Sequence, residues 1–129
     1  MFYMLSTLTA VVTGLLFLIS LGAPELLLWL MGVSESESAA FVARRMAMVF
    51  LGLTLICWLN RDCRSSDVHK AIAMGLLVML LGLAALGLFE LLRGYAGYGI
   101  LLAVVTELLL GIAWGRVCLL AHRSRLGVF

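Results

Sequence analysis

Among the charged residues inside long apolar runs, four are candidates for chemistry, because few neighbouring side chains can neutralise their charge. They are Arg44, Arg45, Glu90 and Glu107. A charge in apolar surroundings costs about 3 kcal/mol on insertion scales, so such residues pair, reach an interface or face water. An arginine beside a carboxylate could bind a polar headgroup, a quinone ring or a charged group of a partner protein. We therefore take these four residues as the candidate ligand- or partner-binding site.

The composition is typical of an integral membrane protein. Of the 129 residues, 64% are hydrophobic and 12% are charged, and the mean hydropathy is +1.18. Soluble domains carry about 25% charged residues. This chain therefore has too few charged residues to form the surface of a globular protein in water. About 20 apolar residues cross the hydrocarbon core of a bilayer. The sequence predicts a single integral membrane domain over 1–129, with spans at about 2–22, 41–60, 71–92 and 98–120.

The distribution of basic residues predicts the orientation of these spans. With a cytoplasmic N-terminus, six basic residues lie on the inner side: Arg61, Arg64, Lys70, Arg116, Arg123 and Arg125. Three lie on the outer side: Arg44, Arg45 and Arg93. Basic residues favour the cytoplasmic side, so both termini are predicted to be cytoplasmic. The net charge of +2 then reflects membrane topology and not nucleic-acid binding.

The segment "GAPELLLWLMG", residues 22–32, follows the first span. Pro24 suits a first helical turn, and Gly32 suits the position just past a helix end. One interpretation is a short helix over 24–31 that lies at the outer interface, with Trp29 as an anchor. The other is a proline-kinked extension of the first span. The sequence leaves both open.

Serines precede the second and third spans at positions that suit helix caps. Ser34, followed by Glu37, fits a capping box. Ser66, followed by Asp67, fits an N-cap with an acidic first turn. Short connections make successive helices antiparallel neighbours. The predicted fold class is therefore an all-α membrane protein, an up-down-up-down bundle of four transmembrane helices.

Three segments after the first span carry a resemblance: "PELLLWLMG", "ARRMAMVFLGLTLICWLNR" and "HKAIAMGLLVMLLGL". Their order resembles small bacterial four-helix membrane proteins of the DoxX-like kind, over most of the chain and as a hydropathy layout. The resemblance implies the four-helix fold. Many members of that group have no assigned activity, and some are linked to quinone or sulfur redox chemistry. The predicted location is the bacterial cytoplasmic (inner) membrane.

Glu90 and Glu107 are possible partners of the two arginines, because they lie at comparable height in the predicted bundle. Arg44 and Arg45 lie about 5 Å below the start of the second span and diverge by about 100°, so one can reach headgroups while the other faces the bundle. Glu107 lies about 14 Å along the last span. It shares a face with Gly111, which marks a packed side. We predict that at least one arginine forms a charged outer-half site with Glu90 or Glu107.

Cysteine and histidine residues are candidate metal ligands. Cys118 and His122 share a helix face, and Cys57, Cys63 and His69 lie near the same predicted membrane side. No paired CxxC or HxxxH spacing frames them. We predict free thiols and no metal site.

The sequence contains no nucleophile–base arrangement, phosphate loop or dinucleotide motif, which favours a non-enzymatic role. The leading hypothesis is an accessory or partner-binding subunit that holds a lipid or quinone-like ligand at a charged outer-leaflet site. The alternatives are a quinone-linked redox subunit, with quinone as its cofactor, and a small proton-coupled transporter that uses Glu107. Gly111 and Gly115 form a GxxxG spacing, which serves packing inside the bundle or contact with a membrane-protein partner or a second copy.

Overall fold

The computed structural model describes residues 1–125, with side chains described through residue 121. This part of the chain forms five helices and no strand: α1 (Phe2–Gly22), α2 (Pro24–Met31), α3 (Glu37–Leu59), α4 (Ser66–Leu92) and α5 (Ile100–Arg125). Helices α1, α3, α4 and α5 are long and apolar enough to cross a membrane. The predicted all-α fold with four transmembrane helices is confirmed.

The short helix α2 is separate from α1. Ala23 leaves helical geometry between them, with φ −144° and ψ 65°, and Pro24 occupies the first position of α2. Gly32 ends α2 in the left-handed region, at φ 65°, where a side chain would be strained. The interpretation of residues 24–31 as a kinked extension of α1 is therefore wrong.

The helix caps differ from the predicted ones by one or two residues. Ser36, and not Ser34, caps α3, because its Oγ accepts a hydrogen bond from the Ala39 N–H at 3.1 Å. Ser66 is the first residue of α4 and not its N-cap, which is Ser65. In both cases the helix begins at a residue other than the one its sequence pattern indicated. Asp67 does lie in the first turn of α4, as predicted.

The helices pack mainly as two antiparallel pairs, and the first joins α1 to α3. Ser6 Oγ donates to the Cys57 carbonyl oxygen at 2.7 Å, and Thr13 Oγ1 lies 2.9 Å from Thr54 Oγ1. These hydrogen bonds join two apolar helices, and interhelical bonds in membranes typically contribute about 0.6 kcal/mol each.

The second pair joins α4 to α5 through glycines. A Cβ on Gly111 would lie 3.4 Å from Leu81 Cδ2, and one on Gly87 would lie 2.8 Å from Val104 Cγ2. Gly115 packs toward Leu77 on α4. The GxxxG spacing thus contributes to packing inside the bundle, where small residues allow helices to approach closely.

The two pairs meet at both ends of the bundle. At the end that holds the N-terminus (the N-terminal end), Trp114 Nε1 donates to Thr9 Oγ1 at 3.1 Å. At the opposite end (the α2 end), the Gly97 N–H donates to the Met31 carbonyl oxygen at 2.9 Å. Helices α1 and α5 make few contacts with one another over their whole length. We call this loosely packed boundary between the two pairs the seam.

Candidate functional site

Arg44 lies near the start of α3 and contacts α2. Its Nη2 atom is 3.9 Å from Oε1 of Glu25, a residue in the first turn of α2. Both side chains are about half exposed, at 56% and 55%. An exposed ion pair of this kind contributes little to stability. It does hold a guanidinium and a carboxylate side by side at the α2 end.

The Arg44–Glu25 pair belongs to a cavity of about 520 Å³ between α2 and the start of α3, which we call the α2 cavity. It is lined by Glu25, Leu28, Glu35, Ser36, Glu37, Ala40 and Arg44. The cavity therefore offers three carboxylates, one guanidinium and an apolar wall. Such a set can accept hydrogen bonds from a cationic group and donate them to an anionic one.

Arg45 follows a different path from its neighbour. Its guanidinium carbon lies 5.8 Å from the centre of the Phe41 ring, one turn earlier on α3. No ion pair to Arg45 occurs within residues 1–121. The two arginines diverge, one toward α2 and one along the exposed face of α3, so Arg45 is outside the α2 cavity.

Glu90 and its neighbour Arg93 form their own pair at the end of α4. Arg93 Nη1 lies 3.6 Å from Glu90 Oε1, and the guanidinium also lies 4.8 Å from the Tyr95 ring centre. The predicted pairing of Arg44 or Arg45 with Glu90 is not observed. The reason is architectural, since α3 packs against α1 and α2 while α4 packs against α5.

Glu107 lies on the inward-facing side of α5. Gly111, one turn away, packs on α4, and Trp114, two turns away, is fully buried against α1. Glu107 itself is only partly buried, and among the described side chains it has neither an ion pair nor a hydrogen bond. The predicted pairing with Arg44 or Arg45 is not observed here either. The four predicted site residues thus occupy separate places.

A second cavity of about 250 Å³ lies at the N-terminal end. Its wall includes Phe2 and His69, whose rings are stacked with centres 3.7 Å apart. Phe2 also meets Trp114 edge-on at 5.6 Å. These aromatic contacts pack the N-terminal end and form part of the wall of its cavity.

The three cysteines are free thiols in separate positions. Cys57 is fully buried, and its backbone carbonyl oxygen accepts a hydrogen bond from the Ser6 hydroxyl. Among the described side chains, no three His, Cys, Asp or Glu residues gather as a metal site requires. The side chain of His122, which the sequence places on the Cys118 face, lies outside the described residues, as do those of Arg123 and Arg125.

Sequence reasoning overlooked two features. The first is Glu25, the observed partner of Arg44. The second is a stripe of buried hydroxyls on α1 (Ser6, Thr9 and Thr13), which bonds to α3 and α5. The spacing of three and four along one apolar helix was a readable signal for the stripe. For Glu25, only the position of α2 against α3 reveals the contact.

Comparison with family models, curated proteins and solved structures finds no match. The resemblance to DoxX-like proteins stays a prediction, and the function must be argued from the chain's own geometry.

Proposed function

We propose that this chain is an accessory protein of the bacterial cytoplasmic membrane that holds a lipid headgroup in the α2 cavity. One observation carries the proposal. The Arg44–Glu25 pair stands in a cavity at the end of four apolar helices, where headgroups of a bilayer would lie. With both termini cytoplasmic, as the six inner and three outer basic residues favour, the cavity faces the outer leaflet.

The charges of the α2 cavity favour a zwitterionic headgroup over a quinone. Arg44 supplies donors for a phosphate, and Glu25, Glu35 and Glu37 supply acceptors for an ammonium group. A quinone ring carries carbonyl acceptors, which would face carboxylates across most of the cavity. The volume of about 520 Å³ lies within the range of about 300–1,000 Å³ for small-molecule sites.

Two other roles remain proposals of lower rank. A quinone-linked redox subunit would hold the quinone in the same α2 cavity, with Arg44 as its hydrogen-bond donor. A proton-coupled transporter would use Glu107, which lacks an ion pair within the described part of the chain. An accessory role further requires a membrane-protein partner or a second copy, and the exposed face of α3 around Arg45 offers a surface for it.

Purification from native membranes in mild detergent tests the lipid proposal. Mass spectrometry would identify lipids, quinones and subunits that remain bound. We expect the unmodified chain to retain a lipid with an ammonium and a phosphate group. Arg44→Ala and Glu25→Ala should lose this lipid, because each removes one half of the Arg44–Glu25 pair.

Arg45→Ala is the matched control, since it removes the same charge from the adjacent position outside the α2 cavity. It should retain the lipid. Equal lipid retention in Arg44→Ala and Arg45→Ala would contradict the proposal, and stoichiometric quinone in the unmodified chain would favour the redox alternative.

A further inference from the structure

Glu107 lies on the inward-facing side of α5, at the seam between the helix pairs. Val104 and Leu110 on either side of it are buried, at 3% and 8% exposure, and Trp114 is fully buried. Glu107, between them, is only partly buried. The carboxylate is therefore partly accessible on a side of α5 where Val104, Leu110 and Trp114 are buried.

The register of the α4–α5 pair fixes the depth of Glu107. Gly87 lies against Val104, and Leu80 lies near Gly111, so Glu107 stands at the height of Ala84. It is also seven residues, about 10 Å, from Trp114, where α5 is joined to α1. Glu107 thus lies well inside the apolar length of the bundle and away from either joint.

No charged side chain of the neighbouring helices reaches this position. Helix α1 contains no Asp, Glu, His, Lys or Arg, and α4 contains none from residue 71 to residue 89. On α5, Arg116 is nine positions away and points to the opposite side of the helix. The other titratable residues of these three helices through residue 121 lie farther along, at Tyr3, Asp67, His69, Lys70, Glu90 and Cys118.

An ionised carboxylate in hydrocarbon is costly, so a residue such as Glu107 binds a proton, pairs with a cation or faces water. We propose that Glu107 is the anionic centre of an intramembrane binding site for a lipophilic organic cation, which enters the seam from the bilayer. The charge selects the ligand, because one unpaired carboxylate among apolar side chains complements one positive charge on an apolar body. Binding displaces the carboxyl proton to water. The site uses none of the residues of the α2 cavity and does not depend on the headgroup proposal.

Titration calorimetry of the purified chain in detergent with tetraphenylphosphonium tests the site. We expect one cation per chain, with tighter binding at alkaline than at mildly acidic pH, because protons compete for Glu107. Glu107→Gln should weaken binding at least about tenfold, and Glu107→Asp should retain most of it. Glu90→Gln is the matched control, since Glu90 is paired with Arg93 at the end of α4, and it should bind as the unmodified chain does. Unchanged affinity in Glu107→Gln, or equal loss in Glu90→Gln, would overturn the proposal.

A second measurement uses the unmodified chain and so does not depend on how the variants fold. Dicyclohexylcarbodiimide attacks protonated carboxyl groups in apolar surroundings, and the labelled residue can be located by mass spectrometry. We expect the label on Glu107 and slower labelling in the presence of tetraphenylphosphonium. Absence of label from Glu107, or labelling that the cation does not slow, would also reject the site.

Discussion

The two ends of this bundle are built differently. At the N-terminal end the rings of Phe2, His69 and Trp114 pack together, and Trp114 bonds to Thr9. The α2 end holds the exposed Arg44–Glu25 pair in the α2 cavity. Aromatic burial stabilises the fold at the first end, while charges at the second contribute little stability. The comparison indicates that stability depends mainly on the first end, while the second end holds the charges of the proposed headgroup site.

The largest expected loss of stability comes from the N-terminal end. Trp114→Ala removes a fully buried ring and the hydrogen bond to Thr9, and we expect a loss of about 3–5 kcal/mol. Unfolding by titration with a denaturing detergent measures it. Trp29→Ala is the control, because Trp29 on α2 is 70% exposed and should cost far less. Equal losses in the two variants would contradict the comparison.

A smaller loss is expected at the α2 end, where the loop between α4 and α5 packs against the backbone of α2. A Cβ on Gly99 would overlap the carbonyl oxygen of Leu30, so Gly99→Ala should destabilise by about 1–3 kcal/mol. The control is Gly82→Ala on α4, where a Cβ meets nothing within 4 Å. It should leave the unfolding midpoint unchanged or raise it, because alanine favours a helix over glycine. A neutral Gly99→Ala would show that the α2 end is not packed through these backbones.

A still smaller loss of stability is expected from the hydroxyl stripe on α1, which contributes to the packing of the N-terminal end. Thr9→Val keeps the shape of the side chain and removes the acceptor of the Trp114 N–H, and we expect a loss of about 1 kcal/mol. Thr106→Val is the matched control, since its hydroxyl bonds only to the carbonyl of Leu102 within α5. The same detergent titration separates them. A larger loss from Thr106→Val would contradict a structural role for the Thr9 bond.

Much of the fold could be predicted from the sequence, because apolar length and helix-end residues are local signals. The four spans and the separate helix between Pro24 and Gly32 follow from such signals. The partner of Arg44 does not, since it depends on how α2 lies against α3. Hydropathy also did not indicate that α3 and α4 would pack in different helix pairs. Because they do, Arg44 on α3 and Glu90 on α4 do not meet. The inward direction of Glu107 was readable from Gly111, but its lack of an ion pair among the described side chains was not.

The smallest expected effect on stability comes from replacing Arg44 or Arg45. The same two variants also test the proposed function most directly. The free energies of unfolding of Arg44→Ala and Arg45→Ala should both lie within about 1 kcal/mol of that of the unmodified chain, because both side chains are exposed. The decisive measurement is native mass spectrometry of the three proteins titrated with phosphatidylethanolamine, phosphatidylglycerol or diacylglycerol. We predict preferential binding of phosphatidylethanolamine to the unmodified chain and to Arg45→Ala, and loss of that preference in Arg44→Ala. Binding of all three lipids to the same extent, or the same preference in Arg44→Ala, would contradict a headgroup site in the α2 cavity.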